Sequence, residues 1–243
     1  MKQEQIYGLH AVEKFLKQSP HLIYQMVFEK GPMNKRQQAL QDQAKKLGVT
    51  LSFETKAFFN KFEGLHQGVV ATVAKQDDLT EADLLEILEK SSNPLFLFLD
   101  EVQDPHNLGA ILRTADAVGV TAVIIPKHNS VGINPTVRKV ASGAAETVKL
   151  IVVNNLTRTL KDLQQAGVWM VGLAGETDKT IYQMDFKGAV GLVMGAEGSG
   201  LRKLTKETCD YLAAIPMQGS VESLNVSVAA GVALYEAFRQ RNL

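Results

Sequence analysis

The sequence predicts an α/β protein whose larger, C-terminal part is a mostly parallel β-sheet covered by helices. Short apolar runs rich in Val, Ile, Leu and Phe recur along residues 95–215, as expected for strands buried on both faces. Stretches with apolar residues at helical spacing lie between several of these runs. Strands that alternate with helices are typical of a sheet with helical layers, and 243 residues are enough to bury such a core.

Residues 1–76 are predicted to form a smaller α/β unit. Helices are expected at 7–16 and at 34–47, where Gly48 follows as a C-terminal stop. Strands are expected at 22–28, 49–53 and 69–74.

Residues 77–94 are interpreted as a linker or a domain-joining helix, with Thr80 as the cap of a short amphipathic stretch. The second domain, 95–243, follows. Its predicted strands are 95–99, 122–125, 148–153, 168–173, 190–194 and 212–215. Its predicted helices are 108–118, 136–145, 157–166, 201–208 and 224–239.

Composition limits the class of protein and the kinds of site. Hydrophobic content of 45% and charged content of 21% are ordinary for a soluble globular chain. The single cysteine, Cys209, cannot form an internal disulfide or a cysteine-based zinc site, which fits a reducing compartment. The five histidines have no metal-ligand spacing, so no metal is expected. With no apolar signal segment or membrane-spanning run, we expect a cytoplasmic protein without a membrane partner.

Charge is unevenly distributed along the chain although the total is zero. Residues 1–76 hold 11 Lys and Arg against 6 Asp and Glu, a net charge of +5, and residues 77–243 carry the compensating −5. A basic domain favours contact with a polyanion such as RNA. A chance variation in surface charge is the alternative interpretation.

Loops that follow the predicted strands are the places to look for chemistry, because ligands of such sheets bind beyond the carboxyl ends of the strands. In the loop after 95–99, we expect Asn107 to be a helix N-cap. Arg113, in the second turn of that helix, could reach back to the loop. An N-cap and an ordinary surface ion pair are the alternative.

Two further loops carry polar residues and glycines after strands. Residues 195–202 (GAEGSGLR) contain three glycines that let the backbone approach a ligand closely, in an order different from the dinucleotide fingerprint. Residues 215–227 (IPMQGSVESLNVS) place Ser223 as the expected N-cap of the last helix, with Asn225 and Ser227 in its first turns. This favours a ligand at the helix N-terminus, with capping alone as the alternative.

Taken in order, the three loops resemble the motifs of a known enzyme family. DPHNLGAILRTADAVG, VMGAEGSGLR and IPMQGSVESLNVSVAAGVALYEAFR are similar to the three motifs of the SpoU (TrmH) family of RNA ribose 2′-O-methyltransferases, across about residues 95–243. The segment YGLHAVEKFL resembles the small ribosomal-protein-like RNA-binding domain of one subgroup. That subgroup methylates a guanosine of large-subunit (23S) ribosomal RNA.

The resemblance implies a fold, a cofactor and an assembly. The fold is an α/β knot of the SPOUT type, in which the C-terminal segment threads a loop to form a deep trefoil knot. The protein is expected to be a homodimer, with S-adenosylmethionine as methyl donor and no metal. The residues that match the donor pocket are Gly195, Ala196, Glu197, Gly198, Ile215, Pro216, Met217, Ser223, Leu224, Asn225 and Val226.

The resemblance also implies catalytic roles. Arg113 matches the arginine proposed to activate the ribose hydroxyl; holding the adjacent phosphate and stabilising the developing alkoxide suits a guanidinium better than acting as a base. Asn107 and Asn225 would orient the hydroxyl or Arg113, and Glu197 would position Arg113 or the donor loop. RNA contacts are expected from Lys35, Arg36, Arg138, Lys139 and Arg202, with simple solvation as the alternative for each charge.

Three other functions stay open at this stage. One is a nicotinamide-dependent oxidoreductase, although the usual glycine fingerprint is missing after the first strand of the sheet. Another is a non-catalytic RNA-binding relative, and a third is a methyltransferase of the same family that acts on transfer RNA.

Overall fold

In a computed structural model of the chain, residues 3–62, 66–74, 79–198 and 200–243 are described, apart from the side chain of Gln18. The chain forms two compact units, Met1–Asp77 and Asp78–Leu243. Within these residues no helix is long and apolar enough to cross a membrane.

The first unit is a four-stranded sheet in the order β1-β4-β2-β3. Its strands are β1 (Gln3–Tyr7), β2 (Ile23–Glu29), β3 (Thr50–Glu54) and β4 (Val69–Ala74). Its helices are α1 (Leu9–Gln18), α2 (Lys35–Lys46) and α3 (Lys56–Phe59). A core that includes residues of α1 and α2 covers one face, and a smaller cluster around Phe59 packs on Val27 and Val70.

The second unit is a six-stranded, wholly parallel sheet in the order β10-β8-β9-β5-β6-β7. Its strands are β5 (Leu95–Leu99), β6 (Ala122–Pro126), β7 (Leu150–Val153), β8 (Trp169–Leu173), β9 (Val190–Met194) and β10 (Tyr211–Ala213). Leu192 of β9 is in register with Leu97 of β5 and Val171 of β8.

Helices cover both faces of this sheet. They are α4 (Asp83–Glu89), α5 (Pro105–Val118), α6 (Pro135–Ala141), α7 (Leu156–Gln165), α8 (Lys203–Thr208) and α9 (Val226–Arg241). Side chains of α5, α6 and α9 join the core on one face, and those of α4 and α7 join the core on the other. Burial on both faces explains why the strand sequences are continuously apolar.

Several predicted elements differ from the observed ones. The helix expected at 7–16 is preceded by β1, because the alternating residues Gln3–Tyr7 pair with β4 along an antiparallel ladder. The short helix α3 was not predicted. Within 79–94, Leu84 and Ile87 are buried in the core of the second unit, so α4 is part of that unit. Thr80 does not cap α4: its amide and hydroxyl both donate to the carboxylate of Asp83.

The order of the strands decides where a ligand site can form. After β5 the chain runs through β6 and β7 to one edge, and then returns to place β8, β9 and β10 on the other side of β5. A reversal of this kind leaves a crevice beyond the carboxyl ends of the strands. The loops after β5, β8, β9 and β10 therefore meet at one edge.

Candidate active site

The first loop of this edge leads into α5, and its cap differs from the prediction. Asp104 caps the helix, accepting a hydrogen bond from the amide of His106 at 2.8 Å. Pro105 takes the first helical position, where its missing N–H costs nothing. The prediction that Asn107 is the N-cap is therefore wrong. Asn107 lies inside the first turn and is only 8% exposed.

Asn107 belongs to a hydrogen-bonded cluster that joins three loops. Its side-chain amide donates to Glu197 Oε2 at 3.2 Å. The side-chain amide of Asn225 donates to Asn107 Oδ1 at 3.0 Å and to Glu197 Oε2 at 3.1 Å. Three residues that are distant in sequence are thus brought into direct contact, and we call them the Asn-Glu-Asn cluster.

Asn225 has a second task at the start of α9. It is the observed N-cap, and its Oδ1 accepts from the Ser227 amide at 2.9 Å and from the Ser227 hydroxyl at 2.6 Å. The prediction that Ser223 caps this helix is wrong. Asn is as good a cap as Ser, and the two bonds from Ser227 fix its side chain so that the amide group points at Glu197.

Arg113 lies apart from the cluster. It is six residues beyond Asn107, about 9 Å further along the helix axis and on a different side. Its side chain is exposed, and among the residues that the structure describes it has no hydrogen-bond or ion-pair partner. Glu197, which is expected to position Arg113 or the donor loop, has its carboxylate held by Asn107 and Asn225. Both expected roles stay predictions.

The glycine loop after β9 is folded back on itself. The amide of Gly200 donates to the carbonyl of Ala196 at 3.0 Å. A Cβ on Gly195 would lie 2.0 Å from the carbonyl carbon of Gly200, so no side chain fits there. Gly198 has a φ of +85°, a conformation that favours glycine. These constraints place Glu197 at the tip of a tight turn, where it faces Asn107 and Asn225.

An ion pair with a buried carboxylate ties this loop to the one after β5. Asp100 is 1% exposed. Its Oδ1 lies 2.6 Å from Nη2 and 2.8 Å from Nε of Arg202. The hydrogen bond that Arg202 donates to Asp100 raises the pKa of Arg202. Arg202, expected to contact RNA, is thus engaged by carboxylates of the protein although its side chain is 46% exposed, and Glu101 also pairs with it at 3.3 Å.

A cavity of 490 Å³ opens beside the cluster, a volume typical of small-molecule sites. Nine of the eleven residues expected in the donor pocket line it: Gly195, Ala196, Glu197, Gly198, Ile215, Met217, Ser223, Leu224 and Val226. Pro216 and Asn225 are not among its lining residues. The predicted set is therefore largely gathered around one cavity.

Sequence reasoning missed one side of the cavity. The cavity is also lined by residues 173–176, which are the last residue of β8 and the start of the loop after it, and by Lys206 of α8. The sequence contained an indication, because a glycine and a glutamate follow a predicted strand there, in the same way as in the loop after β9. Without the strand order, nothing placed this loop next to the other three.

The remaining basic residues expected to bind RNA differ in their surroundings. Lys35 and Lys139 are exposed. Arg138 pairs with Glu146 at 2.6 Å. Arg36 pairs with Glu13 at 2.9 Å. The hydrogen bond from Lys17, and next to it the one from Arg36, hold the pKa of Glu13 below its usual range. Two of the predicted cations therefore have internal partners that periodicity does not show.

Comparison with known proteins decides the family. Residues 94–235 match the model of the SpoU rRNA Methylase family, and residues 5–79 match a model described as RNA 2′-O ribose methyltransferase substrate binding. The chain belongs to the SpoU rRNA methylase family. This excludes the nicotinamide-dependent alternative, and the SpoU motifs coincide with the loops that build the Asn-Glu-Asn cluster.

Relatives of this SpoU protein extend over nearly its whole length. It is 53% identical over 240 residues to the 23S rRNA (guanosine-2′-O-)-methyltransferase RlmB of Pseudomonas aeruginosa, covering 98% of this chain and 97% of that one. It is 54% identical over 241 residues to the protein of the same name from Haemophilus influenzae, covering 98% of both.

A solved structure supports the fold. The SpoU methyltransferase AviRb of Streptomyces viridochromogenes, in complex with the cofactor AdoMet, matches with a TM-score of 0.78. The match covers 98% of this chain and 90% of the other at 22% identity.

Proposed function

We propose that this protein transfers a methyl group from S-adenosylmethionine to the ribose 2′-hydroxyl of a guanosine in 23S ribosomal RNA. The observation that carries the proposal is the Asn-Glu-Asn cluster beside the cavity. It joins polar residues of all three SpoU motifs at the crevice of the sheet. The full-length relatives named as 23S rRNA guanosine methyltransferases support the choice of RNA.

The cavity fits the methyl donor in size and chemistry. Apolar side chains from β8, β9 and the loop before α9 can receive an adenine, and glycine backbone can hydrogen-bond its edge. S-adenosylmethionine supplies the methyl group from its positively charged sulfonium. We propose that Gly195, Ala196, Gly198, Ile215, Met217, Leu224 and Val226 hold it, together with Glu197 and Ser223, and with Pro216 and Asn225 as supporting residues.

The cluster then acts by holding polar groups in fixed positions. Asn107 and Asn225 use their side-chain amides on Glu197, so the carboxylate cannot swing away from the cavity mouth. A ribose hydroxyl that enters there meets prearranged acceptors and donors, and correct placement of the reacting atoms supplies much of the catalysis. Glu197 also bears a negative charge at the mouth, which favours a cationic donor.

Arg113 is proposed to act on the RNA. Its exposed guanidinium, which has no partner within the described part of the chain, suits a phosphate beside the reacting ribose, which it can bind with two hydrogen bonds. The same charge stabilises the alkoxide that develops as the hydroxyl loses its proton. Such a cation need not contact Glu197, which agrees with their separation.

The basic surface of the first unit is proposed to bind the RNA substrate. Lys35 lies with Lys45 and Lys46 on α2, all exposed, and Lys139 and Arg138 lie on α6 of the second unit. Arg36 and Arg202 are weaker candidates, because their guanidinium groups already bind carboxylates. Ribosomal RNA as substrate also implies a cytoplasmic protein.

A homodimer is proposed on the basis of α9. Val228, Tyr235 and Phe238 are exposed at helical spacing, and the rings of Tyr235 and Phe238 pack edge to face at 6.0 Å. An exposed apolar stripe on a helix that begins at the active site is well placed to pack on a second copy. Light scattering should give twice the chain mass of 26.6 kDa, and a monomer mass would contradict it.

The trefoil knot is proposed from the path between β10 and α9. After β10 the chain pairs with the loop that follows β8, through the bridge between Ala214 and Thr180, before α9 packs on α5. This crossing supports threading of the C-terminal segment. A crystal structure traced through residues 174–226 tests it, and an unthreaded path would contradict it.

The test of the proposed reaction is methyl transfer from labelled S-adenosylmethionine to unmodified RNA. Ribosomal RNA should become labelled and transfer RNA should not. Label in transfer RNA would keep the reaction and overturn the substrate. No label in either, with the donor bound, would favour a non-catalytic RNA-binding protein.

A further inference from the structure

The ion pair between Lys206 and Glu176 at the cavity takes no part in the proposed methyl transfer. Glu176 follows β8, Lys206 is in α8, and both line the cavity. Lys206 Nζ lies 2.8 Å from Glu176 Oε2. The side chain of Glu176 is 77% exposed and that of Lys206 is 29% exposed. An exposed ion pair contributes little to stability, so the position of this pair at a ligand cavity needs another explanation.

The pair and the Asn-Glu-Asn cluster lie at different parts of the same cavity. Asn107 follows β5 and Glu176 follows β8, and β9 lies between these two strands. Neighbouring strands are about 4.8 Å apart, so the two loops leave the sheet about 10 Å from each other. A ligand in the cavity can therefore react at the cluster while a distant part of it reaches Glu176.

The charge of the pair selects the kind of group that it can bind. Lys206 lowers the pKa of Glu176, so the carboxylate is ionised at neutral pH. Its charge is nevertheless balanced by the lysine, which would repel an approaching ammonium or sulfonium. A carboxylate has about four acceptor positions, and the lysine does not occupy them all. The Glu176 carboxylate is therefore best suited to neutral hydrogen-bond donors that come in pairs, such as the two hydroxyls of a ribose.

We infer that Glu176 accepts hydrogen bonds from the 2′- and 3′-hydroxyls of the methyl donor's own ribose, with Lys206 holding the carboxylate in place. This inference rests on the proposed function, since it assigns a contact within the donor cavity. Acidic side chains bind ribose hydroxyls in the same way in dinucleotide sites of parallel sheets. The contact anchors the adenosine part so that the sulfonium lies at the cluster.

The test compares three ligands by titration calorimetry on the full chain. S-adenosylhomocysteine has both the ribose diol and the amino-acid group. 5′-Methylthioadenosine keeps the diol and lacks the amino acid. The 2′,3′-dideoxy form of S-adenosylhomocysteine lacks the diol. The variant is Glu176→Gln, and Glu207→Gln is its control, because Glu207 is an exposed glutamate that pairs with Lys203 outside the cavity.

Glu176→Gln should weaken the first two ligands by about the same factor, roughly tenfold, the effect of losing hydrogen bonds to a charged group. The dideoxy ligand should bind the variant and the wild type equally, and Glu207→Gln should change nothing. A loss for S-adenosylhomocysteine alone would assign Glu176 to the amino-acid group and overturn the inference. Unchanged affinity for all three would also overturn it. If the wild type bound none of them, the proposed function itself would fail.

Discussion

At the scale of single residues, the site depends on amides that cannot ionise. Asn107 donates to Glu197 and accepts from Asn225, so each amide uses both its donor and its acceptor end. An aspartate at either position would place a second carboxylate against Glu197 and lose the donor. Asn is therefore the residue type that this geometry requires.

The exposed position of Arg113 allows its proposed catalytic role to be separated from a structural one. Arg113→Ala should lower methyl transfer by about 100-fold or more, the loss seen when a transition-state charge loses its partner. Donor affinity should be unchanged, and the free energy of unfolding should stay within about 0.5 kcal/mol, as for other exposed sites. Transfer assays, donor titration and denaturant unfolding measure the three quantities.

The matched control for Arg113 is Arg158→Ala, which removes an exposed arginine from α7 on the other face of the sheet. It should leave transfer unchanged. If Arg113→Ala lowered donor affinity and transfer equally, Arg113 would have to be a structural residue of the donor site.

At the scale of elements, much of the architecture could be predicted from the sequence, and the capping residues of α5 and α9 could not. Apolar runs located all six strands of the large sheet, because burial on both faces leaves an unambiguous pattern. The caps of α5 and α9 were each assigned two or three residues away, since Asp, Asn and Ser are similarly good caps. A sequence does not show which of several such residues the tertiary contacts select.

The candidate site was also predictable only where its features do not depend on tertiary contacts. The three motif loops were found because each carries its own polar residues and glycines. The Glu176 loop and the ion pair between Asp100 and Arg202 were missed, since both depend on which strands are neighbours. Strand order in this sheet departs from chain order, and periodicity does not report it.

Two glycines of the loop after β9, Gly195 and Gly198, give a prediction in which one variant is the control for the other. Gly195→Ala would force a Cβ into the backbone of Gly200, so it should destabilise the protein by about 1–3 kcal/mol. It should also greatly weaken donor binding by opening the turn. Gly198→Ala meets open space and should cost only about 1–2 kcal/mol of backbone strain, with a smaller effect on the donor. Equal donor affinities for the two variants would show that the turn does not shape the cavity.

Helix α9 carries a pH-dependent contribution to stability. Glu236 is buried, and the hydrogen bond from Arg239, with another from Gln240, lowers its pKa to about 2. Because the folded-state pKa lies below the usual value of 4.5, this stabilisation is present above pH 4.5 and is lost as the pH falls towards 2. Glu236→Gln should remove it.

The measurement is denaturant unfolding from pH 6 to pH 3. The wild type should be more stable than Glu236→Gln at pH 6, and the difference should shrink as the pH falls. Glu89→Gln, an exposed glutamate of α4, serves as the control and should parallel the wild type. A difference that stayed constant with pH would contradict the role of Glu236.

At the scale of the whole molecule, the proposal assigns RNA binding to the basic first unit and donor binding to the second. Changing Lys35, Lys45 and Lys46 to Glu should lower RNA affinity more than tenfold and reduce its salt dependence, because fewer counterions are released. Donor affinity should not change. A control with the exposed Lys149, Lys161 and Lys187 changed to Glu alters the net charge equally. Equal losses of RNA affinity in both proteins would show that the first unit has no special part in RNA binding.

The central claim is ribose methylation of a guanosine in 23S ribosomal RNA. The most direct measurement treats unmodified 23S RNA with the protein and a donor that carries a trideuterated methyl group, then digests the RNA and weighs its nucleosides. We predict one heavy product, 2′-O-methylguanosine, which is absent when Arg113→Ala replaces the wild type. A heavy methyl group on a base, or on the ribose of another nucleoside, would contradict the account.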